Sequence, residues 1–214
     1  MSKRIAALLV ALLFAPCASA TQLTFSYSKL YAQLKHNQGV DHPAVKVGYF
    51  MVSPNTGEVC RITKAWMTKK DNYEAISVPE SQELLLPIDR HLKKVNPDVF
   101  IVTDGDIPCD ISYQVMTTDT FSQGISHQQL VDILPQMNAM MADLGGMLSS
   151  WFMPEVKGVT VHFSQPVNHL TTNTGNIIDV KNKMAILHPD ILSKNERVLF
   201  TSPPVKITPW IPRD

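Results

Sequence analysis

Asp104, Asp106 and Asp110 crowd one short stretch of the chain, with Gly105 between the first two. Carboxylates this close can hold a calcium ion through their oxygens or act as a general acid–base pair. A calcium loop, however, needs further oxygen ligands at fixed steps and a distal Glu. Ile107, Pro108 and Cys109 fill the intervening places, and Asp-Gly-Asp-x-Pro is ordinary turn chemistry. The stretch reads as a turn between two strands.

Seven histidines raise the question of zinc. His162 and His169 are separated by Pro166, and there is no His-Glu-x-x-His helix. Zinc requires three or four convergent ligands, and no such spacing exists here. His162 alternates with Val161 and Phe163, which places it on the solvent face of a strand. His36, His42, His91, His127 and His188 fall near turns or helix ends. Met137, Met140, Met141, Met147 and Met153 suggest Cu(I), which thioethers select. Yet the first four share a helical face with Leu130, Leu134, Leu144 and Leu148, where methionine fills core space. Gly-x-Ser-x-Gly, glycine-rich phosphate loops and catalytic cysteine contexts are missing. A triad assembled from distant residues leaves no local trace, so a hydrolase stays open as the alternative. A cleft bringing Asp104 or Asp106 to a histidine would favour it. No catalytic residue, metal site or cofactor is assigned, and methionine-based metal binding is the weaker alternative.

The cysteines depend on where the protein resides. Met1–Ala20 opens with Lys3 and Arg4, runs apolar from Ile5 to Ala15, and closes on Ala18-Ser19-Ala20. This is the pattern of a secretory signal peptide, with an apolar run too short for a permanent span. Cleavage is expected between Ala20 and Thr21, giving a periplasmic protein. Lipidation at Cys17 is the minor alternative, disfavoured by Pro16 in the place where lipoprotein signals carry a small residue. Export removes Cys17 and leaves Cys60 and Cys109, an even number in an oxidising compartment. Cys60, Ile62 and Trp66 are expected on one strand face, and Cys109, Ile111, Tyr113 and Val115 on another. A disulfide between inward-facing cysteines follows; two separate buried thiols are the other possibility.

The 19 basic residues less Lys3 and Arg4 leave 17 against 19 acidic ones, a net charge of −2. No basic excess points to nucleic acid, and no polybasic tract points to an anionic membrane surface. No second apolar run approaches the roughly 20 residues of a spanning helix. Fifteen prolines and a helical block argue against an outer-membrane barrel.

The elements that must position these residues fall into three blocks. Thr21 to about Thr120 reads as mainly β. Leu23–Tyr27 is a strand, and Ser28 caps a helix over Lys29–His36 ended by Gly39. Val45 to Met51 and Val59 to Met67 form a hairpin around Ser53-Pro54-Asn55-Thr56-Gly57. Thr68–Tyr73 is a polar connection, Ala75–Val78 and Glu83–Leu86 are brief strands, Pro87–Val95 a turn or short helix, and Val99–Val102 a strand. Ser126–Phe152 is helical, opened by a Ser126/Gln129 capping box. Pro135 splits or kinks it, and Pro154 ends it. β structure returns at Val159–Phe163, Arg197–Thr201 and Val205–Thr208, with a turn at Asn173–Asn176. The expected fold is a single α+β domain over residues 21–214. It is mainly antiparallel β with one helical block (about 126–152) packed on the sheet and one disulfide. A subdivision near residue 120 is the fallback.

The signal peptide, Thr56–Met67 (TGEVCRITKAWM), Leu84–Val99 (LLLPIDRHLKKVNPDV), the second cysteine strand and Thr208-Pro209-Trp210 together resemble an uncharacterised family. Its members are exported Gram-negative bacterial proteins catalogued as a domain of unknown function. The resemblance covers most of the mature chain and implies a periplasmic protein with a cysteine pair. It transfers no catalytic or ligand residue. The function expected is a non-enzymatic envelope accessory or binding module, whose partner is an unidentified envelope protein or ligand.

Overall fold

The computed structural model describes residues 20–105, 107–146 and 154–212. Strand β1 (Ala20–Ser26) runs straight into helix α1 (Tyr27–Leu34), and a 3-10 turn, Lys35–Gln38, extends it. The helix begins earlier than its sequence suggests, because Tyr27, Leu30, Tyr31 and Leu34 form the buried stripe. Ser28 therefore lies inside it and caps nothing. The first N–H groups are satisfied from a distant segment: Tyr27 donates to the Pro97 carbonyl at 3.0 Å and Ser28 to Asn96 Oδ1 at 2.8 Å.

The expected hairpin after α1 closes only at its turn. Ser53 N–H donates to the Glu58 carbonyl and Cys60 N–H to the Met51 carbonyl, and there the ladder stops. Strand β2 (Val45–Val52) pairs along its whole length with β6 (Asp110–Thr117). Strand β3 (Ile62–Lys69) pairs instead with β5 (Asp98–Asp104) and with β4 (Asn72–Ala75). The reason is burial: Gly48 and Phe50 are as enclosed as Val47, Tyr49 and Met51, so β2 lies between two layers. Thr68–Tyr73 is accordingly a tight hairpin, not a connection, with Lys70 at a left-handed φ of 53°. Of Ala75–Val78 only Ala75 is in a strand, and Glu83–Leu86 makes a single bridge, Leu84 to Tyr49. Helix α2 (Arg90–Val95) fills the Pro87–Val95 segment, with Asp89 accepting from the His91 and Leu92 N–H groups and Asn96 as left-handed C-cap.

A β-bulge between Ile62 and Lys64 breaks the period-two reading of β3. Ile62, Ala65 and Met67 face inward, while Trp66 moves to the outer face and stacks on Phe100 with 5.1 Å between ring centres. Cys60 and Cys109 form the disulfide, with their Cα atoms 6.4 Å apart. They lie just before β3 and β6, outside the strands, so the bridge joins the entries of strands that belong to different sheets.

Strand β7 (Gly124–Ser126) leads into helix α3 (His127–Gly145), and the Ser126/Gln129 capping box is present. The helix is continuous through Pro135. The side-chain amides of Gln136 and Asn138 donate to the carbonyls of Asp132 and Leu134 one turn back, next to the donor that proline lacks. It closes at Gly145, where Gly146 takes a φ of 68° as C-cap, and the rest of the block expected to 152 falls on residues outside the described ones. Met147, Leu148, Trp151 and Met153 lie outside the described residues.

The remainder is β8 (Gly158–His162), β9 (His169–Thr172), β10 (Ile177–Asp179), β11 (Met184–Leu187), β12 (Arg197–Leu199) and β13 (Lys206–Trp210). Asn173–Asn176 makes the expected turn between β9 and β10. Sheets run in the orders β1-β5-β3-β4, β10-β9-β12-β7, β11-β8-β13 and β2-β6, every ladder antiparallel. The fold is thus α+β, mainly antiparallel β, with α3 packed against the strands.

Two apolar cores result. One gathers α1, β3 and β5 around Tyr27, Met51 and Ile101; the other gathers α3, β8 and β13 around Leu130, Met137 and Ile207. The β2–β6 ribbon feeds both: Tyr49, Met51 and Ile111 belong to the first, Val45, Val47 and Val115 to the second.

Candidate functional site

The residues singled out for chemistry do not converge. Asp104 pairs with Arg61 at 3.8 Å on the surface, and Asp110 Oδ1 accepts from the Ile111 N–H. Asp106 lies outside the described residues. Met137 and Met140 are fully buried under α3. Among the described residues no group of three or more His, Cys, Asp or Glu side chains could hold a metal ion. His169 is exposed, and His188 stacks on Trp210 at 5.5 Å. His162 is not solvent-facing: its Nε2 lies 2.9 Å from Thr208 Oγ1, and burial beside Lys206 pushes its pKa down to about 4.

The closest histidine–carboxylate pair among the described residues is one that spacing could not show. His42 Nε2 meets Asp143 Oδ2 at 3.1 Å across 101 residues of sequence. The His42 ring is 1 % exposed, so no substrate reaches it, and its contact staples the loop before β2 onto α3. The Ala44 N–H does the same by donating to Gln136 Oε1. Gly39 makes this possible, since a Cβ there would come within 2.5 Å of the ring.

Asp143 also lines a cleft of about 960 Å³ that opens between α1 and α2. Lys35 and His36 stand on one wall, Arg90, Lys93 and Lys94 on the other, and Tyr31 forms the floor with Lys93 Nζ 5.3 Å from its ring centre. No carboxylate of the described residues makes an ion pair with Lys35, Arg90, Lys93 or Lys94. Burial, and then Lys35, lowers the His36 pKa. The walls are held together: Tyr27 OH donates to the Pro87 carbonyl and accepts from the Asp89 N–H at 3.1 Å, while Asn96 and Pro97 cap α1. Four cations without carboxylate partners on segments fixed to each other make the local potential of the cleft positive. Sequence reading missed it because its cations come from separate segments. The one local signal was Arg90-His91-Leu92-Lys93-Lys94, too short to count as a polybasic tract.

A second polar cluster is closed. Glu83, 7 % exposed, accepts twice from Lys46 Nζ at 2.8 Å, and buried Lys206 donates to Gln114 Oε1 at 2.7 Å with its Nζ 4.2 Å from the Phe50 ring centre. It seals the contact between the β2–β6 ribbon and β13.

A family model described as "Protein of unknown function (DUF2987)" matches residues 19–163. This span includes Cys60 and Cys109, both walls of the cleft and Asp143. No curated protein and no solved structure matches the chain.

Proposed function

The chain belongs to the DUF2987 family of proteins of unknown function, and from that premise we propose that it is an exported periplasmic accessory module that binds a partner or ligand through the basic cleft between α1 and α2. The observation that carries this reading is the set of four cations without carboxylate partners among the described residues, Lys35 in the turn that extends α1 and Arg90, Lys93 and Lys94 on α2, with the two helices locked to each other. Charge left unpaired on rigid elements costs stability through self-repulsion and is suited to an anion supplied from outside. The Cys60–Cys109 disulfide supports export, since such bonds persist in oxidising compartments. Cleavage between Ala20 and Thr21 leaves the β1–β5 ladder intact from the Thr21–Thr103 pair onward. The mature chain, 21–214, is read as one domain, because β2 and β6 serve both cores.

Fractionation of the native host, N-terminal sequencing and crosslinking in the envelope test the proposal. The expected result is a periplasmic chain starting at Thr21, with crosslinks that disappear when Arg90 and Lys93 are replaced by Gln. A cytoplasmic protein, or crosslinks indifferent to those substitutions, would contradict it.

A further inference from the structure

We infer that the cleft takes a ligand presenting at least two phosphate groups, as a free oligophosphate or as the headgroup of a lipid. This rests on the reading of the cleft as a binding site and specifies its ligand. The cations face each other from two elements, Lys35 before β2 and Arg90, Lys93 and Lys94 on α2. A ligand with two linked anionic groups can address both walls at once. The volume, about 960 Å³, belongs to the upper range of small-molecule sites and far exceeds a lone ion. Arg90 offers a planar fork matched to phosphate oxygens, and Lys93 and Lys94 supply point charges that two doubly charged groups balance better than carboxylates do.

Asp143, the one carboxylate lining the cleft among the described residues, is held by His42 and so directs anions toward α2. The charge is local and not a reflection of composition, because the whole sequence has 19 basic and 19 acidic residues. His36 faces Lys35, His42 and Asp143 and shares the cleft with Arg90, Lys93 and Lys94. A bound polyanion offsets the surrounding cations and draws a proton onto its imidazole, so binding is coupled to proton uptake.

Calorimetry on the chain purified from the periplasm, at low salt and near neutral pH, tests this with inorganic pyrophosphate, tripolyphosphate and citrate. Flotation with phosphatidylcholine vesicles, with and without cardiolipin, tests the lipid source. The expected result is phosphate binding in preference to citrate, weakened about tenfold or more in the double variant Arg90→Gln, Lys93→Gln. The control Lys194→Gln, outside the cleft, should leave binding unchanged. Proton uptake, read from the dependence of heat on buffer ionisation, should be smaller in His36→Gln than in wild type, the ligand's own titration being common to both, while pyrophosphate still binds. Binding of the soluble probes assigns a free oligophosphate; cardiolipin-dependent flotation lost in the double variant assigns a lipid head. Citrate binding as tight as pyrophosphate, no binding of any phosphate probe, or a folded double variant that binds like wild type would overturn the inference. If no phosphate binds yet the envelope crosslinks still depend on Arg90 and Lys93, the ligand class fails and the accessory role stands.

Discussion

Lys206 shows how strongly single residues are constrained at the contact between ribbon and sheet. Burial pushes its pKa down to about 8, with Glu83 pulling in the opposite direction, and His162 beside it falls to about 4 through burial and the Lys206 charge. Because the folded-state pKa of His162 lies below its ordinary 6.5, the unfolded chain binds more protons between those values. Stability should therefore fall as pH drops from 6.5 through 4, and His162→Gln should flatten that slope in urea titrations at stepped pH. Glu196 acts in a lower window. Hydrogen bonds from Thr172, Thr174, Ser193 and Asn176 hold its pKa near 2, so its contribution is complete above 4.5 and lost as pH falls toward 2. Glu196→Gln should remove only this second acid slope. Glu83→Gln takes the counter-charge from Lys46 and from buried Lys206; about 2–3 kcal/mol of destabilisation is expected in equilibrium unfolding, since Lys46 is partly solvated. None of these partnerships was legible in the sequence. His162 alternates with two core residues and so reads as exposed, but a period of two says which face a side chain takes, not whether another layer covers it.

Elements follow local rules wherever their ends are local. The Ser126/Gln129 box opens α3 as its spacing requires, and Ser126→Ala should cost about 1 kcal/mol by chemical denaturation. The Asn173–Asn176 turn and the α2 segment were legible for the same reason: cap and turn chemistry acts within a few residues. Readings failed where distant groups intervened. Ser28 looked like a helix cap, but Asn96 and Pro97, just before the neighbouring strand β5, supply that function. The Val45–Met67 hairpin failed because β2 has two buried faces and takes β6 as its partner. In β3 one bulge reversed the inward set and moved Trp66 outward. Gly124 is another constraint visible only in three dimensions. At a φ of 126°, a Cβ there would lie 2.1 Å from the Val198 carbonyl, so Gly124→Ala should lose the β7–β12 pairing and its amide protection.

At the level of the whole molecule, the disulfide and the β2–β6 ribbon divide the mechanical work. The Cys60–Cys109 bridge closes a loop of 49 residues within the first core, and the chain-entropy model assigns it about 4 kcal/mol. Reduction should therefore lower stability by roughly that amount. Hydrogen exchange should show protection lost first in β3 and β5, with α3 and β8 holding longer. Simultaneous loss would show that the shared ribbon couples the cores fully. The sequence by itself determined the signal-like first twenty residues, the even cysteine count of the remainder, the balance of charge, the capped amphipathic helix and the predominance of strands. Each of these depends on composition or on spacing within a few residues. Only the tertiary structure decided which strands pair, how two cores share one ribbon, and that Lys35 faces Arg90, Lys93 and Lys94 across one cleft. Those outcomes depend on which buried faces meet and on hydrogen bonds between segments far apart in the chain, and no local spacing encodes them.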